Sequence, residues 1–434
     1  MLVNFRFENF RSFYKENVVS LQATSDKELK ELNTFIVDEN LLGKNQNELL
    51  KSAIIFGGNA SGKTNVIKGI SYMINAIQLS AAVQFEVINK NETFAFYDNS
   101  QNDCSLYEVG IIQNETYYKY GFTIKNGEIE QEWMYRKKER STPVFKRTKN
   151  KLEIIGLNSK ATSLIKIPTK TLFLSVGNNF NLQISNYLLD VLNWFKNILI
   201  VFENNANSFD IYTAENEKYK KQAMEILKKA DIGITNFEVV KDKVADIRNL
   251  NEMLTLSTQS QINPKKYAGQ FKQEQESLYN IDLKTIFNVY DENNKLIKEK
   301  EVMLFKDGGF NSEGTTRLFC YLGWILAALD TGRVIFIDEI DSKLHFLVAD
   351  YLIKMFNSID TNINNAQLIC TAHNVMLMDE DLRRDQIYFT SKDKIGISTL
   401  VSLADYKAVR KKDLFSKKYL AGFYSNLPNM NKRV

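Results

Sequence analysis

The segment that most limits what this chain can become is Gly57-Gly58-Asn59-Ala60-Ser61-Gly62-Lys63-Thr64, with the spacing Gly-x4-Gly-Lys-Thr. Ahead of it, Ala53-Ile54-Ile55-Phe56 is a short apolar run of the kind a buried strand needs. Behind it, apolar residues stand at positions 66, 67, 70, 73, 74 and 77, the spacing of one helix face. Strand, glycine turn and helix in that order aim free backbone N–H groups and a positive helix end at one point, which suits an anion. A lysine and a threonine at the helix start complete a phosphate grip. Lys63 would reach the β- and γ-phosphates of a nucleotide, and Thr64 would offer its hydroxyl to Mg2+.

The C-terminal half supplies what such a loop requires. In Val334-Ile335-Phe336-Ile337-Asp338-Glu339 an apolar run ends in two carboxylates. This reads as a parallel strand buried on both faces, with its acids at the strand end where ligands bind in open α/β sheets. Asp338 is placed to hold Mg2+, directly or through water, and Glu339 to orient or deprotonate an attacking water. Upstream, Asn311-Ser312-Glu313-Gly314-Thr315-Thr316-Arg317-Leu318-Phe319 opens a long apolar helix. Its start is either an anion site or an ordinary Ser/Thr N-cap. Downstream, Gln367-Leu368-Ile369-Cys370-Thr371-Ala372-His373-Asn374 is a further buried strand ending in one of the chain's two histidines, the other being His345. His373 could hydrogen-bond a γ-phosphate or the attacking water, or be a structural loop histidine.

Bulk properties narrow the remaining choices. A length of 434 residues predicts two or three lobes. With 44% apolar and 25% charged residues, disorder cannot dominate. A net charge of +4 is too mild to mark a nucleic-acid binder and reads as a solvated surface. Cys104, Cys320 and Cys370 lie far apart without metal-ligand spacing, which fits a reducing cytosol. There is no 18-residue apolar run and no signal-peptide pattern, so a cytoplasmic protein without membrane contact is expected.

Along the chain, residues 1–24 read as a hairpin leading into the core, and 25–50 as loop or short helix. Stretches 104–112, 117–125, 129–136 and 144–147 form an expected antiparallel meander with turns near 114 and 126. Tyr117, Tyr118, Tyr120 and Phe122 are read as strand packing rather than base stacking. Helices are expected over 182–195 and 216–230 and a strand over 237–240, while 241–300 is polar and weakly periodic. Lys220, Lys221, Lys228 and Lys229 read as a solvated helix face.

The order of phosphate loop, Ser-Glu-Gly-Thr helix start, Asp-Glu strand and strand-terminal histidine resembles the ABC-type ATPase heads of the SMC and RecF class. Within that class it is most similar to the prokaryotic AbiL/RloA-type, OLD-like ATPases of phage defence by abortive infection. Phe7-Glu8-Asn9-Phe10-Arg11-Ser12-Phe13 resembles the opening of those heads, and Leu382-Arg383-Arg384-Asp385-Gln386-Ile387-Tyr388-Phe389 resembles their tail element. The resemblance implies an α/β fold: an ABC-type ATPase head with a mixed core sheet, an antiparallel β subdomain and a helical insert. The implied division is 1–175, a mainly helical insert at 176–305, and 306–434. No sustained heptads occur in the insert, which sets the chain apart from a true SMC protein.

The same resemblance assigns roles. Gly57, Asn59, Gly62, Lys63 and Thr64 would bind ATP, with Thr64 and Asp338 on Mg2+. Ser312, Gly314 and Thr315 would contact the γ-phosphate held by the opposite subunit, although Asn-Ser-Glu-Gly departs from the Leu-Ser-Gly-Gly of transporters. Glu339 and His373 would be catalytic, and Asp341, Ser342, Leu344 and His345 would form the D-loop region. Gln113 lies near a plausible position for the Q-loop glutamine. A homodimer that sandwiches ATP is implied, together with a separately encoded effector, because the remainder after His373 carries no acidic metal-site cluster. Lys407, Arg410, Lys411, Lys412, Lys417 and Lys418 there could dock an acidic partner or nucleic acid, or face solvent. The alternative reading is a RecF-like ATP-dependent DNA-binding protein of repair or recombination.

Overall fold

The computed structural model describes residues 1–81, 86–98, 100–149, 151–180, 182–202, 216–230, 233–246, 277–304, 311–406 and 414–424. The chain forms two compact units, Met1–Ala206 with Ala327–Val434, and Asn207–Leu326.

The first unit is α/β and holds two large sheets. Its six-stranded sheet runs in the order Leu199–Val201, Val334–Ile337, Gln367–Thr371, Ser52–Gly57, Ile387–Lys392, Ser398–Ser402. The strands are parallel up to the last, which is antiparallel, so the core sheet is mixed as expected. Val334–Ile337, Gln367–Thr371 and Ser52–Gly57 are buried along their whole length. Parallel strands are covered on both faces by their crossovers, which is why these segments read as continuous apolar runs. The helix Lys63–Leu79 buries Val66, Ile67, Ile70, Met73, Ile74 and Ile77, the residues its spacing marked. Each such side chain stabilises the fold by about 1.5–3 kcal/mol relative to exposure.

The seven-stranded sheet is antiparallel throughout, in the order Lys151–Ile154, Ser141–Thr148, Glu128–Lys137, Thr116–Lys125, Ser105–Gln113, Leu2–Glu8, Asn17–Ser20. Two of its hairpins turn through Asn114-Glu115 and Asn126-Gly127, all four residues at positive φ, as the tight turns joining twisted strands demand. Tyr118, Tyr120 and Phe122 point into the core. The sheet is tied to its neighbour by buried polar side chains. Gln367 accepts the Leu2 N–H at 2.6 Å and donates to the carbonyls of Leu2 and Leu50, and Tyr388 Oη bonds both backbone groups of Ser20.

The second unit carries the helix Glu217–Lys229, an antiparallel three-stranded sheet ordered Ile234–Asp246, Ser277–Tyr290, Leu296–Met303, and the start of the helix Glu313–Thr331. Among the described residues of 176–305 strand outweighs helix, so the expectation of a mainly helical insert is not met there. The strand Leu296–Met303 is exposed from Leu296 to Glu301 on both of its faces, so it lacks the alternation of apolar and polar residues that a strand with one dry face carries. The expected boundary at 175 also moves. The helix Ser185–Lys196 buries Leu188, Val191, Trp194 and Phe195 in the core of the first unit, and Leu199–Val201 pairs with Val334–Ile337. Lys221, Lys228 and Lys229 are exposed, as expected of a solvated face. Of the basic tail, Lys417 and Lys418 lie on the helix Phe415–Leu420, while Lys407, Arg410, Lys411 and Lys412 fall outside the described residues. No described helix is long and apolar enough to cross a membrane.

Candidate active site

The phosphate loop leaves the buried strand Ser52–Gly57 and enters the helix at Lys63. Ala60 at φ 59° and Gly62 at φ 116° turn the chain through the left-handed region on the way. Gly57 is dictated by its neighbour strand: a Cβ there would lie 2.2 Å from Thr390 Oγ1 and 2.6 Å from the Thr390 carbonyl oxygen. Asn59 is exposed at the loop's crest, whereas Ser61, Gly62 and Lys63 are buried. The Lys63 ammonium donates to the carbonyls of Gly57 at 2.8 Å and Gly58 at 3.3 Å. Burial pulls its pKa down, and the carboxylates of Glu339, Asp338 and Asp341 counter that shift.

Asp338, which follows the strand Val334–Ile337, is 4% exposed. Its Oδ1 accepts from Thr64 Oγ1 at 3.2 Å and from Thr371 Oγ1 at 2.7 Å. Burial pushes this carboxyl above the ordinary value, opposed by the hydrogen bonds from Thr371 and Thr64. The pair expected to hold Mg2+ is thus in contact. A hydroxyl and a carboxylate at the same point form a hard-oxygen set that fits that ion.

Glu339 adopts φ 56°, a region that non-glycine residues rarely occupy. Its Oε1 lies 3.2 Å from His373 Nε2, which places the strand-terminal histidine beside this acid and not in an unrelated loop. The turn that carries His373 is anchored by Asp341, whose Oδ2 accepts the N–H groups of His373 at 2.8 Å and Asn374 at 2.5 Å. His345 caps the helix Phe346–Asn357 through Nδ1, so the second histidine has a structural role.

A cleft of about 560 Å3 opens onto Thr64, Asp338 and Glu339, and Arg11, Lys68 and Asn75 also line it. Lys68 and Asn75 continue the helix face that begins at Thr64. Arg11 pairs with Glu92 at 2.6 Å. Lys68 and Thr371 escaped the sequence reading. A lone lysine on a helix and a threonine within an apolar strand carry no spacing signal, although the phase of Lys68, one turn after Thr64, points to the same face.

Gln113 is not part of this site. It lines a separate pocket of about 240 Å3 with Met1, Asn197 and Arg333, because the strand Ser105–Gln113 belongs to the antiparallel sheet and not to the core sheet. Ser312, Gly314 and Thr315 belong to the second unit. Ser312 Oγ accepts the Thr315 N–H at 3.1 Å and lies 2.9 Å from Thr315 Oγ1, so it caps the helix Glu313–Thr331 and remains exposed.

Among known families, the one described as "AAA domain, putative AbiEii toxin, Type IV TA system" matches residues 52–379. No curated protein matches the chain. Similar solved structures include an SMC head bound to the C-terminal winged-helix domain of ScpA, at 13% identity and TM-score 0.46, covering 94% of this chain and 98% of that one. Another is an Smc head with an extended coiled coil bound to the C-terminal domain of ScpA from Pyrococcus furiosus, at 10% identity and TM-score 0.40, with 92% and 96% covered. A third is an Smc head with a coiled coil and joint from Pyrococcus yayanosii, at 10% identity and TM-score 0.39, with 97% and 99% covered.

Proposed function

We propose that this chain, which belongs to the AAA-domain family matched over residues 52–379, binds ATP with Mg2+ at its phosphate loop and hydrolyses it. The observation that carries this reading is the convergence of Thr64, Asp338, Glu339 and His373 beyond the C-terminal ends of three adjacent parallel strands. Lys63 and the loop amides would hold the triphosphate, and Thr64 and Asp338 the metal, which supplies charge stabilisation at the phosphate oxygens. Glu339 would orient the attacking water and accept its proton, with His373 fixing the carboxylate through Oε1.

The wider role we infer is a dimeric sensor or gate of a prokaryotic anti-phage, abortive-infection system that controls a separate effector. The family description, with its toxin and type IV toxin–antitoxin system, supports a defence context. Two copies would each close on the ATP of the other, with Ser312, Gly314 and Thr315 reaching across. Glu339→Gln tests the core of the proposal: ATP binding should persist while turnover falls by about 10²–10⁴-fold, as expected for loss of a general base. Unchanged turnover in that variant would remove Glu339 from the mechanism.

A further inference from the structure

Thr371 ends the strand Gln367–Thr371 and is 0% exposed, so a ligand in the cleft does not touch it. Its hydroxyl nevertheless meets both acids. It accepts the Glu339 N–H at 2.7 Å and lies 2.7 Å from Asp338 Oδ1. A backbone N–H can only donate and a carboxylate can only accept, which sets the direction of the chain: Glu339 N–H to Thr371 hydroxyl to Asp338 carboxylate. The Thr371 carbonyl takes the next amide, Ile340 N–H, at 3.0 Å. Two consecutive amides of the turn therefore end on this one residue, and φ 56° belongs to the first of them. Strained backbone of this kind persists only where its surroundings over-determine it.

We propose that Thr371 is a positioning residue for hydrolysis, its single hydroxyl setting the metal-holding and the water-orienting acid as one unit. One end of the bridge directs Asp338 Oδ1 toward Thr64. The other holds Glu339 in the left-handed turn that brings its carboxylate to His373. The inference rests on the nucleotide reading above and adds to it a residue that never contacts the nucleotide.

Thr371→Val keeps the branched shape and removes the hydroxyl, whereas Thr371→Ser keeps the hydroxyl and removes the methyl group. In the full chain, Thr371→Val should lower kcat and the affinity for Mn2+ in the presence of ADP by about 10- to 100-fold each, the usual effect of losing a group that orients a metal ligand. KM for ATP and binding of fluorescent ATP without metal should stay near wild type, and Thr371→Ser should restore both lost properties. Wild-type kcat and Mn2+ affinity in Thr371→Val would overturn the proposal. So would a serine variant as impaired as the valine one, since packing of the methyl group would then be what matters. If Thr371→Val does not fold, Thr371→Cys, with its weak donor, takes its place under the same criteria. Failure of the wild type to bind fluorescent ATP would sink the nucleotide reading as well, whereas normal binding with an unaffected variant sinks only the role of Thr371.

Discussion

Asp338 carries two opposed demands. It must be ionised to hold a cation, yet burial raises its pKa above the ordinary value of 3.8, and the hydrogen bonds from Thr371 and Thr64 offset only part of that cost. Two consequences follow from the sign. Because the native state binds the proton more tightly than the unfolded chain, this group's contribution to stability falls as pH rises from the unfolded value through the raised native one. Asp338→Asn should therefore raise the melting temperature of the metal-free protein at neutral pH, while abolishing the gain in nucleotide affinity on adding Mg2+. In the wild type that Mg2+-dependent gain should fade as pH drops, because a proton on Asp338 competes with the cation. A nucleotide titration with and without Mg2+ across the acidic range measures it. A gain that stayed unchanged across that range would show that Asp338 does not control metal binding.

At the level of elements, the close approach of Ile387–Lys392 to Ser52–Gly57 makes Gly57 a packing residue as well as a loop residue. Gly57→Ala must push against the backbone of Thr390, and overpacking of this kind costs about 1–3 kcal/mol. Gly233→Ala is a useful comparison: a Cβ there meets nothing within 4 Å, and the cost is only that of a side chain at φ 74°. Urea unfolding of both variants should therefore separate strand crowding from backbone strain, with nucleotide affinity reduced in the first alone. The helix start at Ser312 poses a similar pair of alternatives. Loss of the cap in Ser312→Ala should cost about 1 kcal/mol of stability. Ser312→Arg should additionally stop turnover without weakening the ATP affinity of a single copy, if this exposed helix end serves a neighbour's triphosphate.

For the whole molecule, the loop and its acids lie in one compact unit and the Ser312 helix start in the other. If two copies share each ATP, Lys63→Ala and Ser312→Arg are complementary defects. Each variant alone should be inactive. In an equimolar mixture half the dimers are mixed, and each of those keeps one intact site. Turnover should then recover to about one quarter of wild type, as two-fold exchange of identical subunits requires. A mixture as inactive as its components would mean that no site is built across two chains. Purification of the native protein with its genomic neighbours tests the defence role. A stably bound second protein supports it, and duplex DNA that stimulates turnover supports the repair alternative instead.

Much of the site was legible before folding was considered, because local chemistry specifies it. A glycine turn between an apolar run and a helical period leaves little choice for Gly57 to Thr64, and an apolar strand ending in Asp338-Glu339 is readable for the same reason. What the linear order could not contain are contacts between distant segments. Thr64 meets Asp338 across 274 positions and Glu339 meets Thr371 across 32, and such bonds exist only once the strands lie side by side in register. Linear position alone left Gln113 open as a site residue, because membership of a sheet is a property of pairing and not of composition. Of the sheet of the second unit only 237–240 was legible as strand, because hydropathy alternates only where one face of a strand is dry, and Leu296–Met303 is largely wet. Covalent neighbours settle which backbone shapes are cheap. Which acids, hydroxyls and imidazoles come within hydrogen-bonding distance of one another depends on directional bonds between strands, and these form only in the packed chain.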